Sequence, residues 1–145
     1  MGSTLDKSLN RFLLFLGYAL VPLFLGLCIY IFFGSTDSIL IGFISDLVGS
    51  VVLENFTFDF PYLGFVKNHV ADGLWSFSLT STLCLLFYKE FALHKILFVA
   101  FLVSASYELS QFFGLIGGTG DVLDVVVMYA FSLLSYYQIK NKLSL

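Results

Sequence analysis

From Arg11 to Phe33 the chain reads RFLLFLGYALVPLFLGLCIYIFF, and after Arg11 none of these residues is charged. In hydrocarbon a backbone must find its hydrogen-bond partners within the protein, and a single segment does so only as a helix. About 20 helical residues cross a hydrocarbon core of ~30 Å, and this run is long enough. It exceeds the ~7–15-residue apolar core of a cleavable leader, and no small-residue cleavage site follows it. FLGLC places Leu27 where a lipoprotein cleavage box needs Gly or Ala, and MGSTLD carries Asp6 where a myristoylation signal needs Ser or Thr. The stretch therefore predicts a membrane helix, kinked at Pro22, whose ring removes a backbone donor.

The composition of the whole 145-residue chain fits that solvent. Charged residues make up 12% against roughly 25% in soluble domains, too few to cover a globule in water. By length it is a single domain, 1–145. The net charge of −3 and the lack of a basic cluster argue against a nucleic-acid partner. Cys28 and Cys84 both lie in apolar runs and read as buried free thiols rather than a disulfide.

Three further spans are expected at 72–88, 95–114 and 121–137. Residues 37–53 are apolar but short and contain Asp46. There Ser38, Gly42, Ser45 and Gly49 form one helical stripe, with Leu40, Phe43, Ile44, Leu47 and Val51 opposite. That pattern predicts an amphipathic helix, interfacial or re-entrant. The basic residues decide the count, because short cytoplasmic loops collect Lys and Arg. With four spans, Lys7, Arg11, Lys89, Lys95, Lys140 and Lys142 are cytoplasmic and only Lys67 lies outside. With five, the division is three against four, which is no bias. The expectation is an all-α integral membrane protein of four antiparallel helices with both termini cytoplasmic and an outer loop at 34–71. That loop is aromatic, as an interfacial belt would be, and its Asn55-Phe56-Thr57 sequon carries little weight.

Acidic residues inside spans are the functional signal. Glu108 lies thirteen residues beyond Lys95, hence ~20 Å deep at ~1.5 Å per residue. A charge there costs a few kcal/mol or more. Ser104, Glu108 and Gln111 share one helix face, and Asp121 and Asp124 share the first turn of the last span. Asp121 reads as an N-cap. Asp72 reads equally as a cap of the second span or as a pocket residue, with Ser76 and Thr80 continuing its stripe. Asn68, His69 and Trp75 fall at the mouth. Ser76, Thr80 and Gln111 are best explained by helix packing. Glu108 and Asp124 point instead to a pocket, because an apolar pair would join helices at lower desolvation cost. The glycines of GLIGGTGD lack the lysine and the preceding strand of a phosphate loop, so they read as a turn.

YELSQ (107–111), GTGDVLD (118–124) and ADGLW (71–75) together resemble the motifs of the VanZ-like family of small bacterial membrane proteins. The likeness covers roughly residues 60–137 and falls on Glu108, Gln111, Asp121 and Asp124, with Asp72 at an earlier acidic position. The family's Arg before the final Asp pair has no counterpart in GLIGGTG, and 37–53 is an added apolar segment. The resemblance implies a multi-pass protein of the bacterial inner membrane, in a family whose founding member is linked with teicoplanin resistance.

Three functions fit these features. A non-enzymatic envelope protein would bind a lipid-linked precursor or an amphiphilic antibiotic in the outward pocket. A membrane enzyme would act on a lipid head group through a divalent cation such as Mg²⁺ or Ca²⁺, held by Glu108, Asp121 and Asp124. An assembly subunit would use its polar residues only for packing. Membrane lipids are the expected partners, no cofactor beyond such a cation is implied, and homo-oligomerisation stays open.

Overall fold

In the computed structural model the described residues are 2–33, 63–116 and 120–143, and their regular structure is entirely helical. A first helical run comprises α1 (Gly2–Phe15), a wider π-helical stretch (Leu16–Leu20) and α2 (Val21–Phe33). A second comprises α3 (Leu63–Phe65), another π-helical stretch (Val66–Val70) and α4 (Ala71–Phe87). Two further helices follow, α5 (Leu93–Phe112) and α6 (Val122–Leu143).

Among the described residues, three helices are long and apolar enough to cross a membrane: Leu9–Ile31, α5 and α6. α4 has 17 residues. The stretch expected to be loop up to residue 71 is already helical from Leu63, and α6 runs on past residue 137 to Leu143. The proposed 37–53 helix and the sequon lie outside the described residues. Large apolar side chains such as Phe24 (63% exposed) and Phe98 (62%) face outward, as lipid-facing residues do.

At Pro22 the helix widens rather than merely bending. Val21 N–H bonds back five residues to Leu16 O, and the widened turn accommodates the following proline, which has no N–H to donate. Ala19 O accepts a hydrogen bond from Ser78 Oγ of α4 at 2.7 Å, so a carbonyl in the irregular turn is satisfied by a neighbouring helix.

α4 is the centre of the bundle, packing against α2, α5 and α6. Its inward residues are mostly small: Ala71, Gly73, Ser76, Ser78, Thr80, Ser81 and Cys84 are all buried. Such residues let helix backbones approach closely. A Cβ on Gly73 would lie 2.8 Å from the Phe131 ring, and one on Gly26 would lie 2.5 Å from the Trp75 ring.

The α4–α6 interface is held by hydroxyls. Ser76 Oγ lies 2.6 Å from Ser132 Oγ and donates to Met128 O at 3.1 Å. Thr80 Oγ1 lies 3.2 Å from Ser132 Oγ, and Ser81 pairs with Ser135 at 2.7 Å. Ser76→Ala and Ser132→Ala should each lower stability in detergent by about 0.5–1.5 kcal/mol, the range of such bonds in membrane bundles. The double variant should cost less than the sum, because both single changes remove the same bond. Additive losses in thermal melts would show that the two hydroxyls do not act on each other.

Below the hydroxyls, Cys84, Ile96 and Ile139 close the opposite end as an apolar cluster, flanked by Tyr18, Leu83 and Leu143. Arg11 reaches Tyr88 at that end, bonding to its hydroxyl and lying 5.3 Å from its ring centre. Cys84 is the buried thiol expected, whereas Cys28 is only half-buried, and both are free.

Candidate functional site

Four helical segments deliver polar side chains to one end of the bundle. Glu108 comes from the last turn but one of α5, Asp124 from the first turn of α6, Asp72 from the first turn of α4 and Tyr30 from α2. Carboxylate oxygens of Asp72, Glu108 and Asp124 lie within 4.8 Å of one another. Glu108 is 7% exposed and Asp124 9%. The residues singled out because they are charges in apolar runs therefore do converge.

Each carboxylate has a defined partner. Tyr30 OH donates to Asp72 Oδ1 at 2.7 Å. His69 Nδ1 lies 2.5 Å from Asp124 Oδ1. Glu108 Oε2 accepts the Asp121 backbone N–H at 3.1 Å. This last bond uses a donor left open at the start of a helix, where a carboxylate also gains from the helix dipole.

Local chain chemistry sets up these contacts. α5 ends in a Schellman motif: Gly114 N bonds Gln111 O at 2.9 Å, Leu115 N bonds Ser110 O at 2.8 Å, and Gly114 takes φ +68. The glycines thus serve a turn as far as they are described; residues 117–119 lie outside that range. Gly120 then passes so close to α5 that an added Cβ would be 2.6 Å from Phe112 N and 2.9 Å from Glu108 O. Asp121 Oδ1 accepts Leu123 N–H at 2.8 Å, the N-cap that its position implied. The π-helical stretch before α4 shifts the register at His69, directly before the residues that meet α6.

Asp72 is not the cap of α4. The helical run begins at Leu63, so Asp72 has helix on both sides and turns its carboxylate to Tyr30. Ser76 and Thr80 belong to the α4–α6 hydroxyl contacts, as a packing role requires. Gln111 is half-buried on α5 near the same end. The Asn68 side chain lies outside the described set. Trp75 is 41% exposed and meets Tyr30 edge-on at 5.9 Å. Tyr30 is the residue that sequence reading missed, because a tyrosine near the end of an apolar span reads as a belt residue.

A cavity of about 870 Å³ runs from Asp72 and Glu108 down between α2 and α5 along one face of α4. Its upper walls are Tyr30, Trp75 and Tyr107; its lower walls include Leu23, Leu79 and Val103. Ser104 also lines it, and its Oγ is shielded from solvent without a hydrogen-bond partner among the described residues. Among the described residues, hard oxygen donors with one imidazole form two groups able to hold a divalent cation, Asp72–Glu108–Asp124 and His69–Asp121–Asp124.

No family model, curated protein or solved structure matches the chain.

Proposed function

We propose that this is a four-span, VanZ-like protein of the bacterial inner membrane, with α4 as the additional span and both termini cytoplasmic. Its carboxylate end then faces the outer surface, where it binds the head of a lipid-linked or amphiphilic ligand and alters glycopeptide susceptibility. The observation that carries this reading is the meeting of Asp72, Glu108 and Asp124 at the head of an otherwise apolar cavity. Bringing together three carboxylates, Glu108 and Asp124 buried and Asp72 half-buried, is costly, and packing alone would be served better by apolar residues. Glu108→Gln and Asp124→Asn should each abolish any change in teicoplanin susceptibility that the expressed protein confers. Unchanged susceptibility with both variants present at wild-type levels would remove the reading.

The cation geometry favours a second reading, a metal-dependent membrane enzyme acting on a lipid head group. An ion at Asp124 would polarise a phosphoryl oxygen and neutralise the carboxylates. Purified protein should then bind Mg²⁺ or Ca²⁺ saturably below millimolar concentration, with Asp124→Asn abolishing it. Absence of saturable binding excludes this reading.

A further inference from the structure

The cavity carries more information about its ligand than the carboxylates alone. We propose that it seats a membrane lipid with an uncharged, hydroxyl-rich sugar head, which enters sideways from the bilayer; this rests on the ligand-binding reading above.

Access is lateral because the two outer walls are membrane-facing. Leu23 on α2 is 40% exposed, and Val103 and Tyr107 on α5 are 55% and 59% exposed, yet all three line the cavity. From Asp72 to Thr82 the cavity follows ten residues of α4, ~15 Å at ~1.5 Å per residue, which is half of a ~30 Å hydrocarbon core. A chain lying along Leu79 and Val103 therefore places its head at Asp72 and Glu108.

The lining selects the head. Among the described residues it contains two carboxylates and several hydroxyls but no Lys, Arg or His. A phosphate would meet like charge there, with no basic side chain among the described lining residues to offset it, which disfavours anionic phospholipids; a zwitterionic head brings its own ammonium but no hydroxyls to share between the carboxylates and Ser104. Sugar hydroxyls both donate and accept. They can donate to Asp72 and Glu108 and also pair with Ser104 Oγ, the shielded hydroxyl without a partner among the described residues. Tyr30, Trp75 and Tyr107 supply aromatic faces on which the C–H face of a sugar ring packs.

Trp75 is the only tryptophan in the chain and stands in the cavity wall, so its emission reports the occupant. The full-length protein is reconstituted in phosphatidylcholine with brominated acyl chains, which quench a neighbouring indole. Unbrominated glucosyl-diacylglycerol, phosphatidylethanolamine or phosphatidylglycerol with matched chains is then titrated in. The expected result is recovery of emission by the glucosyl lipid at about one-tenth of the mole fraction that simple dilution requires, a preference worth ~1.4 kcal/mol. The two phospholipids should follow the dilution line. Ser104→Leu, which fills the groove and leaves the carboxylates in place, should return the glucosyl lipid to that line while eluting as a monodisperse species.

Preferential recovery by a phospholipid instead would overturn the sugar assignment and leave the amphiphile reading standing. Dilution behaviour for all three lipids would overturn both for membrane lipids. A glucosyl preference that survives Ser104→Leu would place the lipid outside this cavity and overturn the proposal.

Discussion

Gly120→Val should loosen the carboxylate end of the bundle and leave the other end folded. The two atoms nearest to an added Cβ belong to the Phe112 backbone, at 2.6 and 2.8 Å, and the third is Glu108 O. Backbone cannot rotate away as a flexible side chain can, so α5 and the start of α6 must separate. Overpacking of this kind costs about 1–3 kcal/mol, and a backbone clash belongs at the upper end. The separation also breaks the Asp121 N–H bond to Glu108, and with it the meeting of the carboxylates. Thermal melting in detergent should fall, and Trp75 emission should change. Cys84, fully buried in the apolar cluster at the opposite end, should stay protected from thiol reagents. Gly17→Ala is the control, since an added Cβ there meets nothing within 4 Å. Wild-type melting for Gly120→Val would show that the α5–α6 approach is not as close as described.

The second large effect is expected at His69. His69→Leu removes the one group with positive-charge capacity that, among the described residues, touches Asp124, and leaves that carboxylate almost fully buried beside Glu108 and Asp72. Leaving one partner of a buried hydrogen-bonded pair unsatisfied costs about 1–3 kcal/mol, and more where that partner is charged, most of it the penalty on the group left behind. The double variant His69→Leu/Asp124→Leu removes that penalty and should be markedly more stable than the single one. Melting of the purified variants tests this directly. If the double variant is less stable than His69→Leu, Asp124 is held chiefly by something other than the imidazole.

What could be read before the structure followed from cost. Glu108 and Asp124 are legible because an ionisable group within an apolar run is expensive and must face protein. Asp121 is legible because a helix start needs an acceptor. Asp72 was ambiguous for a positional reason: its role as cap depended on where the helix begins, and the run starts instead at Leu63. Tyr30 was not legible because its direction follows from the widened turns before Pro22, which shift helix register without a periodic mark in the sequence. The α6 half of the hydroxyl contacts, Ser132 and Ser135, was hidden for a related reason. Serines are common on helices, and only the α4–α6 approach reveals which ones meet. Among the described residues three helices have the length and apolar content of a span, while α4, with 17 residues and many small hydroxyl side chains, is packed among its neighbours.

The first helical run is fastened to α4 and the residue that caps it at three heights: Arg11 to Tyr88, Ala19 O to Ser78 and Tyr30 to Asp72. Facing it across the cavity, Ser104 and Tyr107 of α5 make no side-chain hydrogen bond among the described residues. The cavity wall on α2 is thus hydrogen-bonded to α4, whereas Ser104 and Tyr107 on the α5 wall are not, and α5 carries Glu108. Widening the cavity by moving α5 would pull on the Glu108–Asp121 bond. The width of the groove and the closeness of the carboxylates are therefore mechanically a single variable.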